Sequence, residues 1–544
     1  MRRALTLLGL AAVPVLVLAV FFVLPVSGML ARGFWPDGRF DPGAVLEVLT
    51  RPRVHRVLWF TIWSAGLATA VSVVLGLPAA YALHRLALPL RRTIRAALLV
   101  PFVLPTVVVG VAFRQLLGEA GPLGFLGLDG TPVAIVGALA FFNVAVVIRS
   151  VGASWESLDP RPGEAAAALG ASPAQVFRTV TLPALRPSIV SAASVVFLFC
   201  ATSFGVVLTL GGLRYSSVET EIYLLTTNLL DLQAAAALSI VQLVAVTALL
   251  VVAGRLRRVP DPSLARVVAR PRRVRPGDAA PVVATVLLLV VVALPVVSLV
   301  VGSLRQGDRW TLDHYRALAG RGADEALLQP ASDALLLSLR TAVDATWMSL
   351  VLGTLVAVVV SRRSRGRAER RLRGVLDGFF MLPLGVSAVT LGFGFLITLG
   401  RPPLELRDSA LLVPVAQALV ALPLVVRTLA PVLASVDERQ RQAAASLGAG
   451  PLRAALTVDL PVVWRPLLAA AGFAFAVSLG EFGATSFLAR DERLTLPVAI
   501  YRLIGHPGAA NYGMALAASV VLAATTAVVM LAVERLRVPS LGAF

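Results

Sequence analysis

The chain reads as long apolar blocks separated by shorter polar segments that carry most of its arginines. Runs nearly free of charge lie near 4–30, 57–83, 96–117, 132–148, 188–210 and 232–254, and again near 281–302, 335–360, 375–399, 409–430, 467–489 and 513–533. An α-helix needs roughly 20 such residues to cross the hydrocarbon layer of a bilayer. No series of ~10-residue alternating segments, the mark of a membrane β-barrel, is present. The pattern predicts an all-α integral membrane protein with about twelve transmembrane helices, six plus six. The first run follows Met1-Arg2-Arg3 and stays uncharged for 27 residues. A signal-peptide core spans only about 7 to 15 residues, so this run is read as an uncleaved first span.

Composition agrees with that class. The chain has 544 residues, 58% hydrophobic and 15% charged, against about 25% charged in soluble domains. All 49 basic residues are Arg, and the net charge is +19. With the N-terminus placed in the cytoplasm, 32 of those 49 fall on cytoplasmic segments. The positive-inside rule therefore places both termini inside. The basic groups at 255–275 and 362–373 then face the anionic inner leaflet. Stacked aromatics do not accompany them, which argues against a nucleic-acid groove. Cys200 is the single cysteine, so neither an internal disulfide nor a cysteine-based metal site is expected. The four His, at 55, 84, 314 and 506, are scattered over loops, and no metal centre is expected.

The two sets of six spans are copies of one unit. EAAAALGASPAQVFRTVTLP at 164–183 recurs as QAAASLGAGPLRAALTVDLP at 442–461, an offset of 278. The same offset pairs Arg85 with Arg363, Pro105 with Pro383, Arg149 with Arg427, Phe204 with Phe482, and Tyr223 with Tyr501, with no gap from about 85 to 223. An even number of spans per copy makes this a parallel repeat about an axis along the membrane normal. The expected domains are 1–254 and 281–544, joined by an Arg- and Pro-rich cytoplasmic linker at 255–280. No GxxxxGK[ST] phosphate loop occurs. Any ATP that drives the protein is bound by another chain.

The repeated motif lies between the fourth and fifth span of each copy. Asp159-Pro160 and Asp437-Glu438 are helix starters. The Ala-rich turns that follow are closed by Gly170 and Gly448, since glycine tolerates the left-handed geometry of a helix end. Ser172-Pro173 and Gly450-Pro451 open a second short helix. Leu182-Pro183 and Leu460-Pro461 then lead back to the membrane. The expectation is a helix, a glycine turn and a second helix, displayed outside the bilayer for a soluble partner to grip.

EAA, three residues, Gly, nine residues, a branched aliphatic, any residue and Leu-Pro resembles the signature of permease subunits of binding-protein-dependent ABC importers. Both halves match, so the chain resembles the fused permeases of the type I importer fold. The resemblance implies that Glu164, Ala165, Ala166, Gly170, Leu182 and Pro183, with Gln442, Ala443, Ala444, Gly448, Leu460 and Pro461, form two coupling sites for two ABC ATPase subunits. It further implies ATP and Mg bound by those subunits and no cofactor in this chain. An extracytoplasmic substrate-binding protein and a place in the bacterial cytoplasmic membrane complete the expectation. Gln442 departs from the pattern, because it lacks the carboxylate of Glu164.

Polar groups inside spans are candidates for the path or gate. The candidates are Asn143, Ser203 and Glu481, with the adjoining Phe204 and Phe482 and, from outer segments, Tyr223 and Tyr501. Glu481 is read as lying about fifteen residues into a helix that begins near 467. Asn143, Thr202 and Ser203 also suit hydrogen bonding between packed helices. Gly211, Gly212, Glu219 and Glu221 belong to outer segments. The stretches SFGVVLTLGG and LGEFGATSFL, with the segments after them, resemble fused permeases for thiamine and, less closely, for ferric iron. An ion-coupled secondary carrier is a further alternative, although such a carrier needs midplane relay charges and the spans offer little besides Glu481. A membrane-embedded enzyme is disfavoured by the sparse His and the lack of a catalytic cluster.

Overall fold

A computed structural model describes residues 2–35, 38–212, 214–256, 271–361, 366–400, 402 and 405–535. Ten helices among the described residues are long and apolar enough to span a bilayer, and a bent pair brings the number to eleven if it counts as one span. In the first half these are α1 (Gly9–Phe34) and α2 (Pro52–Arg85), the pair α3 (Arg91–Val103) and α4 (Thr106–Leu117), then α5 (Pro132–Glu156). After them come the short α6 (Arg161–Ala168), the long α7 (Pro173–Ala201), α8 (Gly205–Gly211), α9 (Val218–Thr227) and α10 (Leu232–Leu256). The second half repeats the series from α11 (Ala279–Ser303) and α12 (Ala331–Ser361) through α13 (Arg367–Met381), α14 (Ala388–Thr398) and α15 (Leu412–Ser435). It closes with α16 (Glu438–Ser446), α17 (Ala455–Leu479), α18 (Thr485–Leu488), α19 (Leu496–Gly505) and α20 (Ala509–Arg535).

Two predicted straight spans are broken. The run at 96–117 bends by 103° between α3 and α4, and the run at 375–399 is interrupted between Met381 and Ala388 by a 3₁₀ turn at Leu382–Gly385. Proline is the physical cause. Pro105 and Pro383 lack the amide that would continue the ladder, and each is followed by a fresh helix start, with Ser387 accepting the Thr390 amide at 3.0 Å in the second copy. The spans at 188–210 and 467–489 are broken too, at Thr202–Phe204 and at Gly480–Ala484.

The gapless register is also corrected. A side chain placed at Gly205 would press on Thr106 and Val107, whereas one at Gly483 would press on Ala388 and Val389. The contact partners therefore differ by 282, not 278, because the second break is four residues longer. Val147 and Val425, each packed against a glycine, Gly76 and Gly353, are again 278 apart, while the glycines differ by 277. The repeat also shows in hydrogen bonds. The Thr61 hydroxyl accepts the Val218 amide at 3.0 Å, and the Ser338 hydroxyl accepts the Leu496 amide at 2.7 Å.

The chain forms two compact units, described within 51–220 and 244–310 for one and within 1–50, 221–243 and 311–535 for the other. In the first, α2 lies along α5, and α7 packs on both. The contact face of α2 is a stripe of small buried residues, Ala65, Ala68, Ser72, Gly76 and Ala79, spaced so that backbones approach closely. In the second unit α12, α15 and α17 make the same trio. The two units are discontinuous in sequence and do not share the bounds 1–254 and 281–544 expected from the repeat. α11 packs on α2 and α4, and α1 packs on α12 and α14. The outer face of α11 carries exposed Val283, Val286, Leu287, Val290, Val291, Leu294 and Val297, a stripe at helical spacing that suits lipid.

Candidate coupling segments and path residues

Each copy of the repeated motif builds the same turn from backbone hydrogen bonds. In the first, the Gly170 amide donates to Ala167 at 3.0 Å and the Ala171 amide to Ala166 at 3.1 Å. In the second, Gly448 donates to Ala445 at 3.0 Å and Ala449 to Ala444 at 2.9 Å. These paired bonds are a Schellman closure, which needs a left-handed residue after the helix. Gly170 and Gly448 supply it with φ of +89° and +82°. A Cβ at either glycine would meet nothing within 4 Å, so conformation and not crowding requires glycine.

The starts of the segments also follow the sequence reading. The Asp159 carboxylate accepts the Arg161 amide, and the Asp437 carboxylate accepts the Arg439 amide, both at 3.0 Å. The second helix opens differently in the two copies. Ser172 and Gln175 form a reciprocal capping box, but Gly450 has no side chain to do so.

One feature of the expected motif is revised. Leu182-Pro183 and Leu460-Pro461 do not lead out of a short second helix. They lie inside a helix that runs on into the span, just after π-helical turns at Phe177–Thr181 and Ala455–Asp459. The wider turn accommodates the proline. The Leu182 amide reaches back to Phe177, and the Leu460 amide to Ala455, so the carbonyls next to the pyrrolidine ring are bypassed.

Glu164, Ala165, Gln442 and Ala443 are exposed, and Ala166 and Ala444 are partly covered. Leu169 and Leu447, which the sequence reading passed over, are 90% and 88% exposed immediately before the glycines. Each is an exposed apolar side chain at the tip of a polar segment. The signal for it was its identity in both copies.

The path candidates fall into two groups. Asn143 is buried between α5 and α7, where its amide donates to the Leu139 carbonyl at 3.0 Å and to the Cys200 Sγ at 3.3 Å. Ser203 and Phe204 are buried at the break before α8, and the Ser203 carbonyl accepts from the Ser217 hydroxyl at 3.5 Å. Glu219 and Glu221 are buried within α9. Tyr223, further along α9, meets Phe487 edge-on at 5.5 Å, and Phe482 meets Tyr501 at 5.6 Å.

Glu481 differs most from expectation. It is not inside a helix but in the break between α17 and α18, and it is buried. Its two carboxylate oxygens accept the Ala484 amide at 2.7 Å and the Thr485 amide at 3.0 Å. The Thr485 hydroxyl donates to its carbonyl at 2.9 Å. A buried carboxylate that accepts two backbone amides is a structural cap.

Repeated spans, a duplicated glycine-closed turn and a family match in each half define the class. The chain belongs to the family described as "Binding-protein-dependent transport system inner membrane component", whose profile matches residues 72–266 and again 349–537. The thiamine transport system permease protein ThiP of Brucella abortus (strain 2308) is 29% identical over 506 residues, covering 90% of this chain and 89% of that protein. ThiP of Salmonella typhimurium (strain LT2) is 30% identical over 466 residues, covering 82% and 83%. The molybdenum transport system permease protein ModB of Mycobacterium bovis is 34% identical over 257 residues, 44% of this chain and 90% of its own length. That relative matches a little under half of this chain.

Proposed function

We propose that this chain is the fused permease of an ATP-driven importer of thiamine in the bacterial cytoplasmic membrane, with both termini inside. Similarity to thiamine permeases over 90% of the chain carries the substrate assignment. An extracytoplasmic binding protein delivers thiamine, and two separate ATPase subunits, holding ATP and Mg, grip the segments around Gly170 and Gly448.

The geometry supports a mechanical role for those segments. Because the second helix of the motif is continuous with α7, a displacement of the docking turn travels along one rod of 29 residues, about 43 Å at 1.5 Å per residue. The rod ends at the break Thr202–Phe204, beside Gly205. In the second copy α17 ends at the break that Glu481 caps. ATP-driven motion at the membrane surface is thereby delivered to the non-helical points of the spans, where backbone geometry is free to change.

The test is uptake of labelled thiamine in cells lacking their own thiamine permease, supplied with this chain, its ATPase and its binding protein. Gly170→Val and Gly448→Val should each cut uptake at least tenfold with permease levels unchanged, because a β-branched residue in the left-handed region costs about 1–2 kcal/mol and unlocks the turn. Normal uptake by both variants removes the docking role. Failure of the binding protein to bind thiamine in calorimetry removes the substrate.

A further inference from the structure

The two coupling segments have the same backbone but are fastened differently. In the second copy one guanidinium does most of the fastening. Arg441, on α16, donates from Nε to Asp459 in the π-helical turn at 2.8 Å, and from a terminal nitrogen to the Leu433 carbonyl at the end of α15 at 3.3 Å. It also pairs with Glu438 at 3.3 Å. Arg441 and Asp459 are largely buried, with 17% and 13% of their side chains exposed. Loop, span end and second helix are therefore tied through a single side chain.

The first copy cannot use that device, because the residues 278 positions earlier are Gly163 and Thr181. It has instead what the second copy lacks. Trp155 and Phe177 stand where the second copy has Leu433 and Ala455. Their rings stack at 6.2 Å with an interplanar angle of 24°, and Trp155 packs on Tyr81 of α2 at 5.2 Å. The Trp155 carbonyl, equivalent to that of Leu433, accepts from Arg85 of α2 at 3.4 Å.

The aromatic column continues into the described end of the linker. The Tyr81 hydroxyl donates to Asp278 at 2.8 Å, and Arg272 donates to both oxygens of the same carboxylate at 2.8 and 2.6 Å. Backbone bonds from Ala87 to Arg272 at 2.8 Å and from Arg272 to Arg85 at 3.0 Å pin the linker to the end of α2. A bidentate pair with a third donor on a mostly buried carboxylate is a strong fastening.

We propose that the coupling segments are positioned by two different devices: in the second copy by Arg441 within the segment, and in the first by the Phe177–Trp155–Tyr81 column anchored on the linker pair Arg272–Asp278. The linker is then more than a tether. Its described end is a positioning element for the first segment, and Arg441, Asp459, Tyr81 and Asp278 act through the segments, not on substrate.

The experiment is hydrogen exchange measured on the purified permease in lipid nanodiscs, comparing peptides covering 161–181 and 438–459. Phe177→Ala and Asp278→Asn should speed exchange by roughly threefold or more in 161–181 and leave 438–459 unchanged. Arg441→Met should do the reverse. Arg441→Asp should be rescued by Asp459→Arg, and Phe177→Ala by returning an aromatic ring as Phe177→Tyr. Exchange that rises equally in both segments, in neither, or without rescue overturns the proposal. The consequence for transport rests on the ATPase-docking reading, but the exchange measurement does not. A rescued exchange change confined to the matching segment supports the two devices whatever uptake does, and an ATPase that fails to co-purify with the unaltered permease refutes the docking reading alone.

Discussion

At the scale of single residues, the position of a polar group mattered less than what its atoms meet. Glu481 looks like a charge awaiting a substrate, yet both of its oxygens accept backbone amides at the start of α18. Glu481→Gln keeps one acceptor and Glu481→Ala keeps none. Thermal unfolding in detergent should therefore show a graded loss, about 1 kcal/mol for the first and about 2–3 kcal/mol for the second, which leaves buried amides unpaired. The Michaelis constant for uptake should not follow that order. A large rise in the constant for Glu481→Gln with unchanged stability assigns the carboxylate to substrate instead. Gly170 and Gly448 were legible in advance because a left-handed turn demands glycine chemically, whatever surrounds it. Arg441 and Asp459 were not legible, since 18 positions separate two charges that only the helical turn brings to 2.8 Å.

At the scale of elements, hydropathy placed the spans but not their breaks. The apolar run at 96–117 holds enough residues to cross a membrane straight, and yet α3 and α4 meet at 103°. A hydropathy count is indifferent to the missing amide of a proline, while the helix is not. The α2–α9 and α12–α19 junctions show the same division. The hydroxyls of Thr61 and Ser338 accept the first amides of α9 and α19, bonds between residues more than 150 positions apart. Thr61→Val and Ser338→Ala should each cost about 1–3 kcal/mol by leaving a buried amide unpaired. Exchange of the Val218 and Leu496 amides, read by mass spectrometry, should rise in the matching variant only. Protection unchanged in both variants indicates that another acceptor replaces the hydroxyl.

At the scale of the whole molecule, the order of packing departs from the order of the sequence. α1 belongs to the unit of α12 and α14, where Gly28 lies too close to Thr398 for any side chain. α11 belongs to the unit of α2 and α4, where Gly302 closes on Gln115 in the same manner. Removing residues 1–35 should therefore loosen α12 and α14 and spare α2 and α5. Limited proteolysis or exchange of the truncated permease in nanodiscs checks this. Loosening confined to α2 and α5 contradicts the observed packing.

The sequence by itself determined the membrane class, the doubling, the helical content and the two glycine-closed turns. Each of these depends on local chemistry: transfer of apolar side chains to lipid, the period of a repeat, or a backbone angle open to glycine. Tertiary structure alone decided which half α1 and α11 serve, what Glu481 caps and how each repeated segment is fastened. The reason is common to all three. Lipid is as apolar as a neighbouring helix, so an apolar stripe does not announce its partner, and a hydrogen bond is fixed only by the group that the fold brings within reach.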